Sequence, residues 1–324
     1  MGESVRTTDG TGYQYTDNFD VTDEVKEQFD RDGFIILRNF LDTEEVATLR
    51  TALEQDKTLE DNYYTRDDGE GNQAKMANWN HPVDDITGMI GRSDKAAGTM
   101  EKLLGGEVYQ YHAKVVMKEP FTGGAFVWHQ DYGDWYHYGN LFPNMATVWI
   151  AVDRADRTNG CLQILLGSHQ AGRLEHVKVG EQAGADPERV ELLAKTCPLT
   201  YVQLDPGDAL IFHCNLVHRS DQNHSQNRRW AYLVCYNRAS NDPVYKHHYP
   251  NYTPLIKVPN SRIKECDTKT STEGKFFFKD PLTSRPSKIR CKTIVPTIKL
   301  FCSRQQAHPV VREKHAIIYT MGSE

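Results

Sequence analysis

Apolar positions change their spacing along the chain, and the change divides it. Over residues 22–31 Val25 and Phe29 stand four apart, one face of a helix, and Gly33 offers the left-handed stop that ends one. The run Phe34, Ile35, Ile36, Leu37 is too short for a helix and predicts a buried strand. Asp42 with Glu45 three residues on is a capping signal, and Val46, Leu49 and Leu53 continue at helical spacing. Beyond Val108 the helical period disappears. Short β-branched and aromatic runs at 113–117, 125–128, 147–152, 162–165, 200–204, 209–212 and 230–237 alternate with Gly, Pro, Asn and Asp, with one helical insert at 187–195. Many short strands separated by turn residues predict a sandwich or barrel. The first 20 residues, polar and rich in Gly, Thr and Asp, are expected to form a flexible lead-in.

Composition adds little until it is divided by position. At 324 residues with 39% apolar and 25% charged residues, the chain is an ordinary globular one. The net charge of -6 conceals a net +7 over residues 261–324, leaving -13 for the rest. We expect one large domain over 21–260 and a basic C-terminal extension of uncertain order over 261–324. The acidic bulk argues against nucleic acid or an anionic membrane as partner. Seven scattered cysteines without a C-x-x-C pair fit reduced thiols. With no leader-like N-terminus and no apolar run of membrane length, a cytoplasmic protein is expected. The oligomeric state is left open.

The candidate chemistry sits in F-V-W-H-Q-D-Y-G-D-W, residues 126–135. Residues i and i+2 of a strand share a face, so His129 and Asp131 can meet one ion. The best third ligand is His218, after the Pro-Gly-Asp turn and apolar strand of P-G-D-A-L-I-F-H-C-N-L-V-H-R-S. His213 competes for that place and is read as a packing histidine; His137, His169 and His224 are not counted as ligands. Two imidazoles and a carboxylate on one face of an octahedral ion leave three positions open, the arrangement of non-haem iron(II) oxygenases. A structural zinc site would be closed by four ligands. Iron(II) with one aspartate is +1, and a dianionic 2-oxoglutarate brings the site to -1, so a buried cation is required. Arg229, opening the last strand eleven residues after His218, suits a carboxylate because its fork binds bidentately. Strand alternation turns Arg228 the other way.

With these residues in place, the chain resembles the phytanoyl-CoA dioxygenase family of iron(II)/2-oxoglutarate oxygenases. W-I-A-V-D from Trp149, N-G-C-L-Q-I-L-L-G-S-H from Asn159, G-D-A-L-I-F-H-C-N-L-V-H-R-S-D-Q-N from Gly207 with Arg229 behind it, and D-G-F-I-I-L-R-N-F-L from Asp32 are similar to its motifs, over residues 20–245. The resemblance implies a mainly β fold with flanking helices, built on a double-stranded β-helix (jelly-roll, cupin-like) core. It implies Fe(II), 2-oxoglutarate and O2 as cofactors, with ascorbate keeping the iron reduced, and hydroxylation coupled to decarboxylation of 2-oxoglutarate to succinate. By position Trp149, Lys75 and Ser220 are placed as cosubstrate contacts, and Lys114 as a partner for a cosubstrate or substrate carboxylate. The metal motif is most similar to that of ectoine hydroxylases, but His112-Ala113-Lys114 stands where a Gln-x-Arg type of pairing is expected, which argues against ectoine itself.

For the substrate, Phe126, Tyr132, Trp135 and His112 are placed around the metal, within an aromatic run that includes Trp128, Tyr136 and Tyr138. Aromatic faces hold cations and zwitterions, so a small amino-acid-like or imino-acid-like molecule is expected ahead of an acyl-CoA thioester. Cyclisation, desaturation or epoxidation in place of hydroxylation depends on substrate placement. Halogenation is disfavoured because Asp131 fills the position a halide needs. A metal-binding sensor or scaffold without turnover, and a zinc hydrolase on the same fold, are the readings from other classes.

Overall fold

The computed structural model describes residues 6–278. Two sheets face each other. The smaller has five strands in the order Arg6–Thr7, Leu199–Val202, Leu162–Leu165, His218–Ser220, Phe126–His129. The larger runs Phe276–Phe278, Gln73–Asn80, Val108–Lys118, Arg229–Arg238, Met145–Ala151, Ala209–His213, Phe34–Arg38, Tyr13–Gln14, with Tyr64–Asp67 also paired to Gln73–Asn80. Apart from the two N-terminal pieces, pairing within both sheets is antiparallel. This is the mainly β, helix-flanked architecture expected, as two facing sheets that do not close into one continuous barrel.

The larger sheet is buried on both faces, and so its strands read as unbroken apolar runs rather than alternating ones. Ile36, Trp149, Leu210, Phe212 and Leu233 point inward and meet Leu162, Ile164 and Val202 of the smaller sheet. Ile35, Leu37, Val148, Ile150, Ile211 and Val234 point outward. Helices Asp23–Asp32, Thr43–Gln55, Ile86–Arg92 and Thr99–Leu104 cover them with Val25, Phe29, Leu49, Leu53, Ile90 and Leu103. The first helix is capped by Thr22 and stopped by Gly33 at φ 82°. The second carries the capping box read from sequence: Asp42 accepts from Glu45 N at 2.9 Å and Glu45 accepts from Asp42 N at 3.0 Å.

Both termini depart from expectation. Described from residue 6, the lead-in is ordered into two strand pieces, because the Arg38 guanidinium binds the Thr11 carbonyl at 2.8 Å, the Thr8 carbonyl at 2.5 Å and the Asp208 carboxylate at 2.6 Å. A boundary at 260 is also wrong. Residues 261–278 complete the domain as a C-terminal strap, while 279–324 lie outside the described residues. Lys275 is buried with its ammonium 2.8 Å from Asp85 and 3.7 Å from Asp56, and Ser271 N donates to the same Asp85 oxygen. Burial alone would raise the Asp85 carboxyl, but Lys275 and these donors hold it below the usual range. The basic composition concealed this, since Lys275 reads as a surface residue. Breaking such a pair from one side leaves a buried carboxylate uncompensated, so Lys275→Met should lower stability by about 3–5 kcal/mol in urea unfolding; a loss under about 1 kcal/mol would mean that the strap is loosely held.

Candidate metal centre

His218 is paired directly with His129 across neighbouring antiparallel strands, and their rings lie 4.1 Å apart between centroids. Asp131 arrives differently from expectation. The strand ends at His129, and Asp131 is the first residue of a short helix, Asp131–Trp135. The buried Gln130 between them makes the turn: its amide donates to Gly172 O at 2.8 Å and Asn215 O at 2.7 Å, and its backbone N donates to His176 at 3.0 Å. Gly133 is required one turn on, where a Cβ would sit 1.9 Å from the His176 ring. One ligand atom from each of His129, Asp131 and His218 lies within 4.8 Å of the others, and among the described residues no other such group of three occurs.

The tautomers are fixed by the backbone. Nδ1 of His129 faces Val127 O at 2.7 Å and Nδ1 of His218 faces Leu216 O at 2.9 Å. A carbonyl only accepts, so each Nδ1 carries the proton and each Nε2 presents its lone pair. Burial also holds both imidazoles below the ordinary histidine range, which keeps them neutral. Thr147 donates to Asp131 Oδ2 at 3.0 Å, leaving Oδ1 for an ion. Burial would push the Asp131 carboxyl up, but its neighbours, Lys114 first among them, pull it down, so it stays ionised. His213 lies elsewhere, accepting from Asn215 N at 3.1 Å and packed on Phe29 and His169, with burial and then His169 pulling it down to about 4.

Two cavities meet at the triad. The inner one is lined by Val116, Trp149, Leu162, Phe212, Leu233, Ser220 and Arg229, and His218 faces it. Arg229 comes from the larger sheet, facing rather than adjoining the strand of His218. Its Nη2 donates to Gly160 O at 2.7 Å, and its guanidinium lies 5.5 Å from the centre of the Trp149 ring. Arg229 Nε and Ser220 Oγ are buried with no hydrogen-bond partner among the described residues. Two orphaned donors in one narrow apolar cavity fit a carboxylate. Burial pulls the Arg229 guanidinium down to about 10, leaving it cationic at neutral pH. Arg228 faces away and pairs with Asp153 at 2.9 Å and with Glu54.

The outer cavity exposes Asp131 and is lined by Tyr64, Arg66, Asn78, His112, Asp134, Trp135, Gln182 and Tyr249. Lys114, Phe126 and His129 border both cavities.

The family model described as Phytanoyl-CoA dioxygenase (PhyH) matches residues 29–231. The chain belongs to the phytanoyl-CoA dioxygenase family. It is a 2-oxoglutarate-dependent non-haem iron dioxygenase, and the neutral imidazoles, ionised Asp131 and orphaned Arg229 and Ser220 donors suit iron(II) and that cosubstrate. An L-proline trans-4-hydroxylase of Streptomyces griseoviridis is 28% identical over 261 residues, 74% of this chain and 97% of its own length. An ectoine dioxygenase of Bordetella bronchiseptica is 28% identical over 232 residues, 66% and 75% of the two chains. The fold is shared with EctD from S. alaskensis in its apoform, at TM-score 0.64 and 23% identity over 76% of this chain and 91% of that one. The carbocyclase SnoK from nogalamycin biosynthesis gives TM-score 0.55 at 21% identity, over 75% and 100%.

In this family member two of the expected contacts fall away. Lys75 lies on the strand whose Met76 and Asn78 face the outer cavity, so alternation turns it to the other side, 4.1 Å from the centre of the Tyr63 ring. Tyr132 is buried in an aromatic cluster with its hydroxyl on Asn140 O at 3.0 Å. Of the aromatic run, Trp135 lines the outer cavity; Trp128 carries Arg219 and Tyr136 carries Arg173 on their faces, while Tyr138 packs on His247. His112 does border the cavity, stacked on Tyr249 at 5.1 Å, with Nδ1 buried and unpartnered. Tyr64, Arg66, Asn78 and Tyr249 were missed, since they come from strand and loop segments without a motif; the period-2 pattern of Ala74, Met76 and Asn78 was the available signal.

His218→Ala should abolish iron(II) binding in anaerobic titration while His213→Ala binds iron and loses stability; the reverse outcome would transfer the ligand role. Arg229→Met should weaken 2-oxoglutarate binding about ten- to a hundredfold, the worth of one charge-assisted bond of about 1.5–3 kcal/mol, with Arg228→Met close to wild type by calorimetry.

Proposed function

We propose that the protein hydroxylates an unactivated C–H bond of a small zwitterion, an amino-acid-like or imino-acid-like molecule bearing a carboxylate. The supporting observation is the charge around the outer cavity. Lys114 borders it without a hydrogen bond or ion pair among the described residues, while Arg66 and Asp134, of opposite charge, line it as well. With the metal and Asp131 at +1, cosubstrate at -2 and Arg229 at +1, the inner half is neutral. Arg66 and Asp134 cancel in the outer half, so Lys114 leaves one positive charge that a substrate carboxylate neutralises. Trp135 and Tyr249 offer aromatic faces to an ammonium or iminium group at the other end.

Iron(II), held by His129, Asp131 and His218, would supply the redox chemistry that couples oxygen reduction and cosubstrate decarboxylation to removal of a substrate hydrogen. The chain's own residues do the rest. Arg229 and Ser220 hold the far carboxylate of 2-oxoglutarate, and Trp149, Phe212 and Leu233 exclude water from its stem. Lys114 orients the substrate beside the metal. The balance is substrate, 2-oxoglutarate and O2 giving hydroxylated substrate, succinate and CO2.

The proline and ectoine hydroxylating relatives favour this substrate class over acyl thioesters. We place the enzyme in the cytoplasm, with small molecules as its partners. Its five described cysteines are all free, which suits a reducing compartment, and among the described residues no helix is long and apolar enough to cross a membrane.

The test is succinate release screened across proline and other amino acids, ectoine, betaines and acyl thioesters. Stimulation by carboxylate-bearing zwitterions is expected; stimulation by thioesters alone would refute the assignment. Lys114→Met should raise the KM of the stimulating zwitterion about ten- to a hundredfold, the loss of one charge-assisted contact of about 1.5–3 kcal/mol.

A further inference from the structure

The row of residues facing the site along the strand Val108–Lys118 is Lys114, Val116 and Lys118, since alternate residues share a face. Lys114 and Val116 line the inner cavity. Lys118 lies behind it, directly opposite Arg229 in the neighbouring strand. Such cross-strand partners hold their Cβ atoms about 4.5–5.5 Å apart, so two basic side chains leave the sheet together at the closed end of the cosubstrate cavity. Lys118 is 1% exposed and makes no salt bridge among the described residues.

Its nitrogen donates to Gly124 O and, at 2.6 Å, to Asp221 O. Gly124 precedes the strand of His129, and Asp221 follows Ser220. One amine therefore ties together the backbones that carry a metal ligand and a cosubstrate donor. The fit is close: at Gly160, φ 77°, a Cβ would stand 2.4 Å from Asp221 O and 3.2 Å from Lys118 Cδ. The Lys118 nitrogen also lies 5.5 Å from the centre of the Phe126 ring, which borders both cavities. Two carbonyl acceptors match the two N–H groups of a neutral amine; an ammonium carries a third.

Resting on the reading that 2-oxoglutarate binds at Arg229, we infer that Lys118 is a neutral amine before the cosubstrate arrives and takes up a proton from solvent as the dianion enters. The charge count supports it. Before cosubstrate binds, the metal with Asp131, Arg229 and Lys114 already sum to +3, and a fourth buried positive charge makes no ion pair among the described residues. The dianion lowers the sum to +1 and makes protonation favourable. Of the groups facing Lys118, burial and the nearest cation weigh toward the neutral form. Burial and then Arg229 hold the amine well below the ordinary lysine range, against the opposing pull of Asp221 and Asp68. The Cys161 thiol, raised by burial to about 12, is neutral. Asp68 is engaged by Ala125 N at 2.9 Å and Gln222 at 2.7 Å. Cosubstrate affinity is thereby coupled to pH through a group that never touches the metal.

The experiment is calorimetric titration of the full-length, iron(II)-loaded protein with 2-oxoglutarate under nitrogen, at one neutral pH in buffers of different ionisation enthalpy. Wild type should take up about one proton per cosubstrate, with affinity falling about tenfold for each unit of rising pH between the amine's pKa in the free protein and its higher pKa in the complex. Lys118→Met, which cannot gain the proton, and Lys118→Arg, which already carries it, should bind with no uptake. A merely structural lysine would leave the proton count unmoved. Binding by wild type without uptake, or uptake that persists in either variant, overturns the role of Lys118 alone. Absence of binding by wild type overturns the cosubstrate reading and this inference with it. Should Lys118→Met fail to fold, Lys118→Arg carries the comparison.

Discussion

The register that sets His218 opposite His129 at one edge of the smaller sheet is the constraint on which the site depends. A slip of one residue would turn both imidazoles to the opposite face. The register shift that follows between His218 and Ser220 sets where the serine stands relative to the ligands. Backbone carbonyls two residues before each histidine then choose the tautomer, so ligand identity and ligand chemistry are both written into strand pairing. The third ligand needs a break in that same strand, and Gln130 supplies it by tying the turn to Gly172 and Asn215.

Charge is the second organising quantity. The larger sheet contributes Lys114, Lys118 and Arg229 to the interior, whereas the metal ligands come from the smaller sheet and the turn beyond it. Cations and metal thus approach from opposite walls, and the space between them selects anions. A cavity of this kind would be costly to assemble were every group charged at once. Neutral imidazoles, an Asp131 Oδ2 engaged by Thr147 and a lysine whose nitrogen donates to two carbonyls keep the burial tolerable.

Much of this was legible in the sequence. The triad, Arg229, the outward turn of Arg228, the capping box at Asp42 and most central strands follow from local pattern, because spacing, alternation and turn chemistry are local quantities. What escaped depends on partners far along the chain. Lys75 was misplaced because its direction is fixed by the strand Gln73–Asn80, whose asparagines blur the apolar pattern. Tyr132 looked like a pocket residue, yet the helix Asp131–Trp135 rotates it into the aromatic cluster and leaves Trp135 lining the outer cavity. The lead-in and the strap gave no signal, since Arg38 and Lys275 acquire their roles from carbonyls and carboxylates brought close only by folding.

The strap lies beyond residue 231, where the match to the family ends, but it is not remote from the chemistry. Phe276–Phe278 pairs with Gln73–Asn80, the strand that contributes Met76 and Asn78 to the outer cavity, and Phe278 packs edge-on against Tyr249 and His112. The wall of the outer cavity is therefore braced by chain that the iron-binding core does not include. Sequence drift there can reshape which molecule is accepted while leaving the metal and cosubstrate untouched, a division of labour by which one core can serve many metabolites.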